Sequence, residues 1–151
     1  MRSYLVVMDD TNEALVALRF AALRAARTGG QVEILAVIPS QGVVEWGGVQ
    51  AAIEEEARLR AEARVLQASG AIMEEAGVRP SILVREGEPE RVIGDVLKEN
   101  PDIAALVLGA APDGGPGPLI SHFAGAAAGT LSCPLIIVPG NLSDEALERL
   151  G

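Results

Sequence analysis

Short apolar runs alternate along this chain with longer stretches in which apolar residues recur every three or four positions. The short runs are Leu5-Val6-Val7-Met8, Val32 to Ile38, Ser81 to Val84, Ile103 to Leu108 and Leu135 to Val138. Most are rich in β-branched residues and predict strands; a continuous apolar run suits a strand buried on both faces. Ser81 to Val84 is the weakest and lies between Arg79 and Arg85, as an edge strand should.

The longer stretches predict helices. Leu15, Leu18, Ala22 and Ala26 share one helical face, and Gly29-Gly30 stops that helix. Asp10 and Glu13 have the spacing of a capping box, with Thr11 as a competing N-cap. A second helix is predicted from about Gln50 to Ala76, with Glu54–Arg58 and Glu56–Arg60 as i,i+4 pairs adding ~0.3 kcal/mol each. Gly70 inside it costs ~1 kcal/mol relative to Ala and marks a candidate kink. Pro89 opens a third helix with Val92, Ile93, Val96 and Leu97 inward, and Pro101 follows its end. Leu119, Ile120, Phe123, Ala124, Ala127, Ala128 and Leu131 form a stripe that predicts one fourth helix, and Ser143 begins a short amphipathic tail.

Strand and helix alternate throughout, which predicts an α/β fold: a single-domain open parallel five-stranded sheet with helices on both faces. Two strand orders, 3-2-1-4-5 and 2-1-3-4-5, satisfy this pattern. No linker, repeat or change of composition divides the chain. Residues 40–49 read as a loop with Gly42, Gly47, Gly48 and Trp46, the only tryptophan. Trp46 has two readings there, as a cover for a cleft or as a contact residue.

At 151 residues, 49% hydrophobic and 22% charged, the chain has a globular composition and enough length for one substantial core. Its net charge of −9 disfavours nucleic acid and anionic membrane as partners. Cys133 is the only cysteine, so there is no intramolecular disulfide, and it reads as a buried, inert thiol. No signal-peptide pattern opens the sequence, and no apolar run approaches the ~20 residues that span a bilayer, so a cytoplasmic protein is expected.

In open α/β sheets a ligand binds beyond the carboxyl ends of strands, where the strand order reverses. In the order 3-2-1-4-5 that point brings Asp9-Asp10 to the loop after Gly109; in the other it brings them to Arg85-Glu86. Val6-Val7-Met8-Asp9-Asp10 looks like the first strand of a response-regulator receiver domain. Yet Arg85-Glu86-Gly87 follows strand three, with no phospho-accepting Asp, and the only lysine, Lys98, lies in a helix. The receiver reading fails on both essential residues.

The whole chain resembles the universal stress protein family. The resemblance rests on Val7-Met8-Asp9-Asp10-Thr11, Ala36-Val37-Ile38, Glu86-Gly87-Glu88-Pro89, Leu106-Val107-Leu108-Gly109 and Cys133-Pro134-Leu135-Ile136-Ile137-Val138, in this order and spacing. It implies the 3-2-1-4-5 sheet of the Rossmann-like adenine nucleotide hydrolase-like fold. The family domain would span residues 1–140, with 141–151 as a short helical tail. It further implies a homodimer through strand 135–138, whose apolar edge would otherwise be naked, unless the tail from Asn141 covers it. Asp9 would contact a ribose, and the backbone of Val37 an adenine.

Nucleotide-binding members of that family carry G-x2-G-x9-G-[ST] after strand four. Gly109 matches the first position, but Pro112 takes the second and has no N–H to offer. Ser121-His122 stand where Gly-Ser is expected, one residue early. Starting instead from Gly115 pairs it with Gly125, but Pro112 then holds the first slot and Ala126 follows. The ATP motif is therefore degraded. Gly114, Gly115 and Gly117 remain able to approach a ligand, beside a helix N-terminus near Pro118 with free N–H groups. No Lys or Arg lies in this loop, and Asp113 adds negative charge, so ATP would need Mg²⁺ through Asp9 or Asp10.

His122 is the only histidine. Catalysis would need an oriented base and a nucleophile in reach, and the adjacent Ser121 points elsewhere on a helix. His122 reads as a helix-surface or ligand-edge residue, and Ser121 and His122 both stand as candidate ligand contacts. The expectation is a regulatory stress-response homodimer, not an enzyme, acting through a ligand or through regulatory protein partners. The alternative binds ATP or AMP in a remodelled loop, with slow hydrolysis.

Overall fold

Each apolar run becomes a strand, and the order of the strands fixes where a site can form. In the computed structural model, which describes residues 2–38 and 47–151, the strands are β1 (Ser3–Met8), β2 (Gln31–Ile38), β3 (Ser81–Glu86), β4 (Ile103–Ala110) and β5 (Leu135–Pro139). The expectations for Gly42 and Trp46 lie outside the described residues. The helices are α1 (Asn12–Thr28), α2 (Gly47–Ala76), α3 (Pro89–Glu99), α4 (Gly117–Ser121) and α5 (Asp144–Leu150).

The sheet order is β3-β2-β1-β4-β5, and every pairing is parallel. Val6 lies opposite Ile34 of β2 on one side and Val107 of β4 on the other. This is the 3-2-1-4-5 alternative, so the strand order reverses between β1 and β4. All six residues of β1 are buried, as expected of a central strand covered on both faces.

Successive side chains alternate between two core layers. Val6, Met8, Ile34, Val107 and Val138 pack beneath α1 and α2, together with Leu147 of α5. Leu5, Val7, Leu35, Leu106 and Leu108 pack beneath α3, Ile120 and Phe123. In α3 the buried residues are Val92, Ile93, Val96 and Leu97, the face read from the sequence.

Two helices depart from the sequence reading. In α1 the buried residues are Ala14, Val16, Ala17, Leu18, Ala21, Ala22 and Ala25, while Leu15 is 43% exposed and Ala26 lies outside the core. Small alanines let this helix approach the sheet closely, and that turns the larger Leu15 outward. The stripe from Leu119 to Leu131 is not one helix. It is α4, a π-helical turn His122–Ala126 and a 3-10 turn Ala128–Thr130. Ile120 and Phe123 are its buried anchors; Ala124 and Ala128 are exposed. Gly125 and Gly129 favour helix poorly, and the alanines beside them bury too little to hold a regular spiral.

Helix α2 runs without a break through Gly70. Arg58 reaches Glu86 of β3 at 3.9 Å. The tail folds back on α1: Arg27 donates to the backbone carbonyls of Glu148 and Gly151, and Arg19 pairs with Asp144 at 2.7 Å and with Glu75 of α2 at 2.9 Å. Helix α5 packs chiefly on α1, and Ile137 of β5 is 42% exposed.

Candidate functional site

A cleft of about 230 Å³ opens beyond the carboxyl ends of β1 and β4, where the strand order reverses. Val7, Leu108, Leu119 and Ile120 form its apolar wall; Asp9, Thr11, Glu13, Gly109 and Gly117 form its polar rim. Among the described residues, no Lys or Arg lines it.

The turn after β1 fixes the acidic side of the rim. Asp9 Oδ1 accepts hydrogen bonds from the backbone N–H of Thr11 at 2.9 Å and from its hydroxyl at 2.5 Å. The Thr11 hydroxyl oxygen in turn accepts from the backbone N–H of Ala14 at 3.2 Å, which makes Thr11 the N-cap of α1. Of the competing caps, Thr11 wins. Asp9 holds it in place through one carboxylate oxygen, and as an exposed carboxylate on the cleft rim it has acceptor capacity to spare.

On the other side, Gly109 ends β4 directly against the first turn of α1. A Cβ built there would stand 2.1 Å from the carbonyl oxygen of Glu13. Gly140, just past β5, meets the same turn, where a Cβ would lie 2.7 Å from Glu13 Cβ. Both glycines have a packing reason that needs no ligand. Nothing local in the sequence announces the role of Gly140, because the helix turn pressed on it comes from a distant part of the chain.

The loop from β4 to α4 turns through Gly114, Gly115 and Gly117, with φ of 81°, 84° and 83°, a region that favours glycine. Only Gly117 lines the cleft; Gly114 and Gly115 stand exposed with open space around them. The helix start expected to supply free N–H groups belongs to a helix of five residues with Pro118 in its first turn. So short a helix aligns few peptide dipoles toward an anion.

The structure therefore brings Asp9, Gly109 and Gly117 to one cleft and sends the other candidates elsewhere. Asp10 does not line this cleft but a neighbouring depression of about 360 Å³ toward α1 and α2, with Leu15, Arg64 and Gln67, and Asp9 and Thr11 border both. Val37 is half-buried on β2, packed against the core beneath α3. Ser121 is exposed. His122 lies edge-on to Phe123, with its Nδ1 3.6 Å from Glu90 of α3, in a separate depression that also holds Lys98. Among the described residues, no three His, Cys, Asp or Glu side chains gather as metal ligands. Cys133 is half-buried, not buried, and desolvation pushes its thiol pKa up.

The description "universal stress protein family" fits a family model that matches residues 1–139. Among solved structures, the chain is similar to a universal stress protein from Lactobacillus plantarum at 18% identity and a TM-score of 0.77, covering 91% of this chain and 97% of that one. It is similar to one from Archaeoglobus fulgidus in complex with dAMP at 23% identity and a TM-score of 0.61, covering 91% and 98%. It is also similar to one from Arabidopsis thaliana with AMP bound at 17% identity and a TM-score of 0.58, covering 96% and 95%. No curated protein sequence matches it at a significant level.

Proposed function

The chain belongs to the universal stress protein family, and on that premise we propose that it is a regulatory protein binding an adenine nucleoside monophosphate in the cleft between β1 and β4. The observation that carries this reading is the pairing of an apolar slot with an oriented acceptor. Val7, Leu108, Leu119 and Ile120 offer flat contact to a base, while Asp9, held by Thr11, accepts from ribose hydroxyls. Its location fits the general rule for ligands in open α/β sheets.

Charge decides the length of the phosphate chain. Asp9 and Glu13 make the rim acidic, and no cationic side chain among the described residues lines it. Each added phosphate brings more repulsion, so AMP suits the rim better than ATP. The neighbours solved with AMP and dAMP agree with a monophosphate.

In this reading the protein regulates by binding, without turnover, as a cytoplasmic homodimer paired through the open edge of β5. Ligand occupancy then acts on regulatory protein partners. No helix among the described residues is long and apolar enough to cross a membrane. A second reading, regulation through protein partners with no nucleotide at all, is favoured by one observation: Gly109 is already explained by its contact with Glu13.

A thermal-shift series with AMP, adenosine and ATP, each with and without Mg²⁺, tests the reading. A ligand at 100 times its Kd stabilises the fold by about 2.7 kcal/mol. AMP and adenosine should raise the midpoint, ATP less. A flat series would support the second reading.

A further inference from the structure

Helix α2 is apolar on two faces, and only one of them is used. Ala61, Val65, Ala68 and Ile72 are buried against the sheet. On the opposite side, Leu59, Leu66 and Met73 are 56%, 64% and 40% exposed. With Ala63 and Gly70, also exposed, they read Leu59, Ala63, Leu66, Gly70, Met73. Those spacings of four and three residues are the seam of a coiled coil, here with large side chains at one seam position and small ones at the other. At 1.5 Å per residue the seam is about 21 Å long.

Gly70 adds a separate observation. Inside a helix it costs about 1 kcal/mol relative to Ala, and a Cβ there would meet nothing within 4 Å in this chain. The chain's own packing gives no reason for a glycine. A second helix lying on the seam does, because Gly70 and Ala63 let its backbone come close between the projecting Leu59, Leu66 and Met73.

The flanking charges say what kind of helix fits. Glu55 and Glu62 border the seam on one side, Arg60, Gln67 and Glu74 on the other, and Glu56 continues the seam line itself. Among the described residues none of these Glu side chains has an ion-pair partner. A second copy of this chain is a poor match. Parallel two-fold pairing sets Glu56 against its own equivalent, antiparallel pairing sets the Glu55–Glu62 flank against itself, and Arg60 is the only cation a second copy brings to either flank.

We propose that the outer face of α2 is a docking surface for an amphipathic helix of another protein, one with large apolar side chains along its seam and Lys or Arg on its flanks. The apolar residues fill the slots beside Ala63 and Gly70, and the basic flanks meet Glu55, Glu62 and Glu74. No residue of the seam or its flanks lines the cleft between β1 and β4, and only Gln67 shares a neighbouring depression with Asp9, so the surface stands whether or not that cleft binds a nucleotide.

The experiment uses the full chain, without nucleotide, and two designed three-heptad helical peptides that are identical except for Lys or Glu on both flanks. The Lys peptide should bind, more weakly as salt rises, and at least about tenfold more tightly than the Glu peptide. Leu66→Lys should abolish this binding; because Leu66 is 64% exposed, its circular dichroism and thermal midpoint should stay those of the parent. The double variant Glu55→Lys/Glu62→Lys should reverse the preference and select the Glu peptide. Equal binding of both peptides, binding of neither, or full binding by Leu66→Lys would overturn the proposal. So would a concentration-dependent self-association of the protein that Leu66→Lys removes, since the occupant would then be a second copy.

Discussion

Gly109 lies so close beneath the carbonyl of Glu13 that a methyl group in place of its hydrogen would stand 2.1 Å from that oxygen. The contact locks the first turn of α1 onto the end of β4 and so sets the width of the cleft between them. The atom in the way is backbone and cannot rotate aside. Gly109→Ala should therefore cost about 1–3 kcal/mol, the range for forcing extra volume into a packed site. Urea unfolding would show it as a lower midpoint at unchanged slope. Gly114→Ala meets no neighbour but must adopt a positive φ, so its cost should come from backbone strain alone.

The Asp9–Thr11 turn separates folding from binding. Thr11→Ala removes the N-cap of α1 and should cost about 1 kcal/mol of stability. Its effect on nucleotide affinity should be smaller than that of Asp9→Ala, because the Asp9 carboxylate stays and the backbone N–H of residue 11 still holds it. Asp9→Ala loses the same support for Thr11 and also the proposed ribose acceptor, so its affinity should fall by about tenfold or more, the range for losing a hydrogen bond to a charged group. Equal affinities for the two variants would take Asp9 out of the site.

Acid stability should report on the bond between Arg85 of β3 and Glu99 of α3, 2.6 Å long. The hydrogen bond from Arg85 lowers the Glu99 pKa in the folded state. A group with a lowered folded pKa contributes stability above its unfolded value, about 4.3 for Glu, and loses it as pH falls through the folded value. Arg85→Met should flatten that part of the acid limb and leave the curve above it parallel to the parent. An unchanged acid limb would place the contact among exposed pairs that contribute nothing measurable.

Desolvation raises the Cys133 pKa, which reduces the thiolate fraction at neutral pH. The thiolate is the reacting form. Cys133 should react more slowly with an aromatic disulfide reagent at pH 7 than a free thiol does, and reach the free-thiol rate once the protein is unfolded in urea.

The fold was largely legible because its signals are local. Val92, Ile93, Val96 and Leu97 announce the buried face of α3, and the five apolar runs announce the strands. The choice between two strand orders came from the family resemblance. Within the site, Asp9 could be read because it ends an apolar run at a predictable place. The contacts of Gly109 and Gly140 with Glu13 join distant parts of the chain and leave no periodic trace. The break after Ser121 was hidden by a regular apolar stripe, since periodicity shows where apolar residues recur but not whether Ala124 and Ala128 bury enough to hold a helix. Leu15 shows the opposite: size and periodicity predict a core residue there, whereas close approach to the sheet selects the alanines.

The central claim, that the cleft between β1 and β4 takes an adenine nucleoside monophosphate on Asp9, is tested most directly by calorimetric titration. AMP and ATP would be titrated into the parent protein and into Asp9→Ala, with Thr11→Ala as the control for folding. The account predicts saturable AMP binding to the parent and to Thr11→Ala, binding lost or at least tenfold weaker in Asp9→Ala, and no tighter binding of ATP. No heat with AMP, an affinity untouched by Asp9→Ala, or a clear preference for ATP would contradict it.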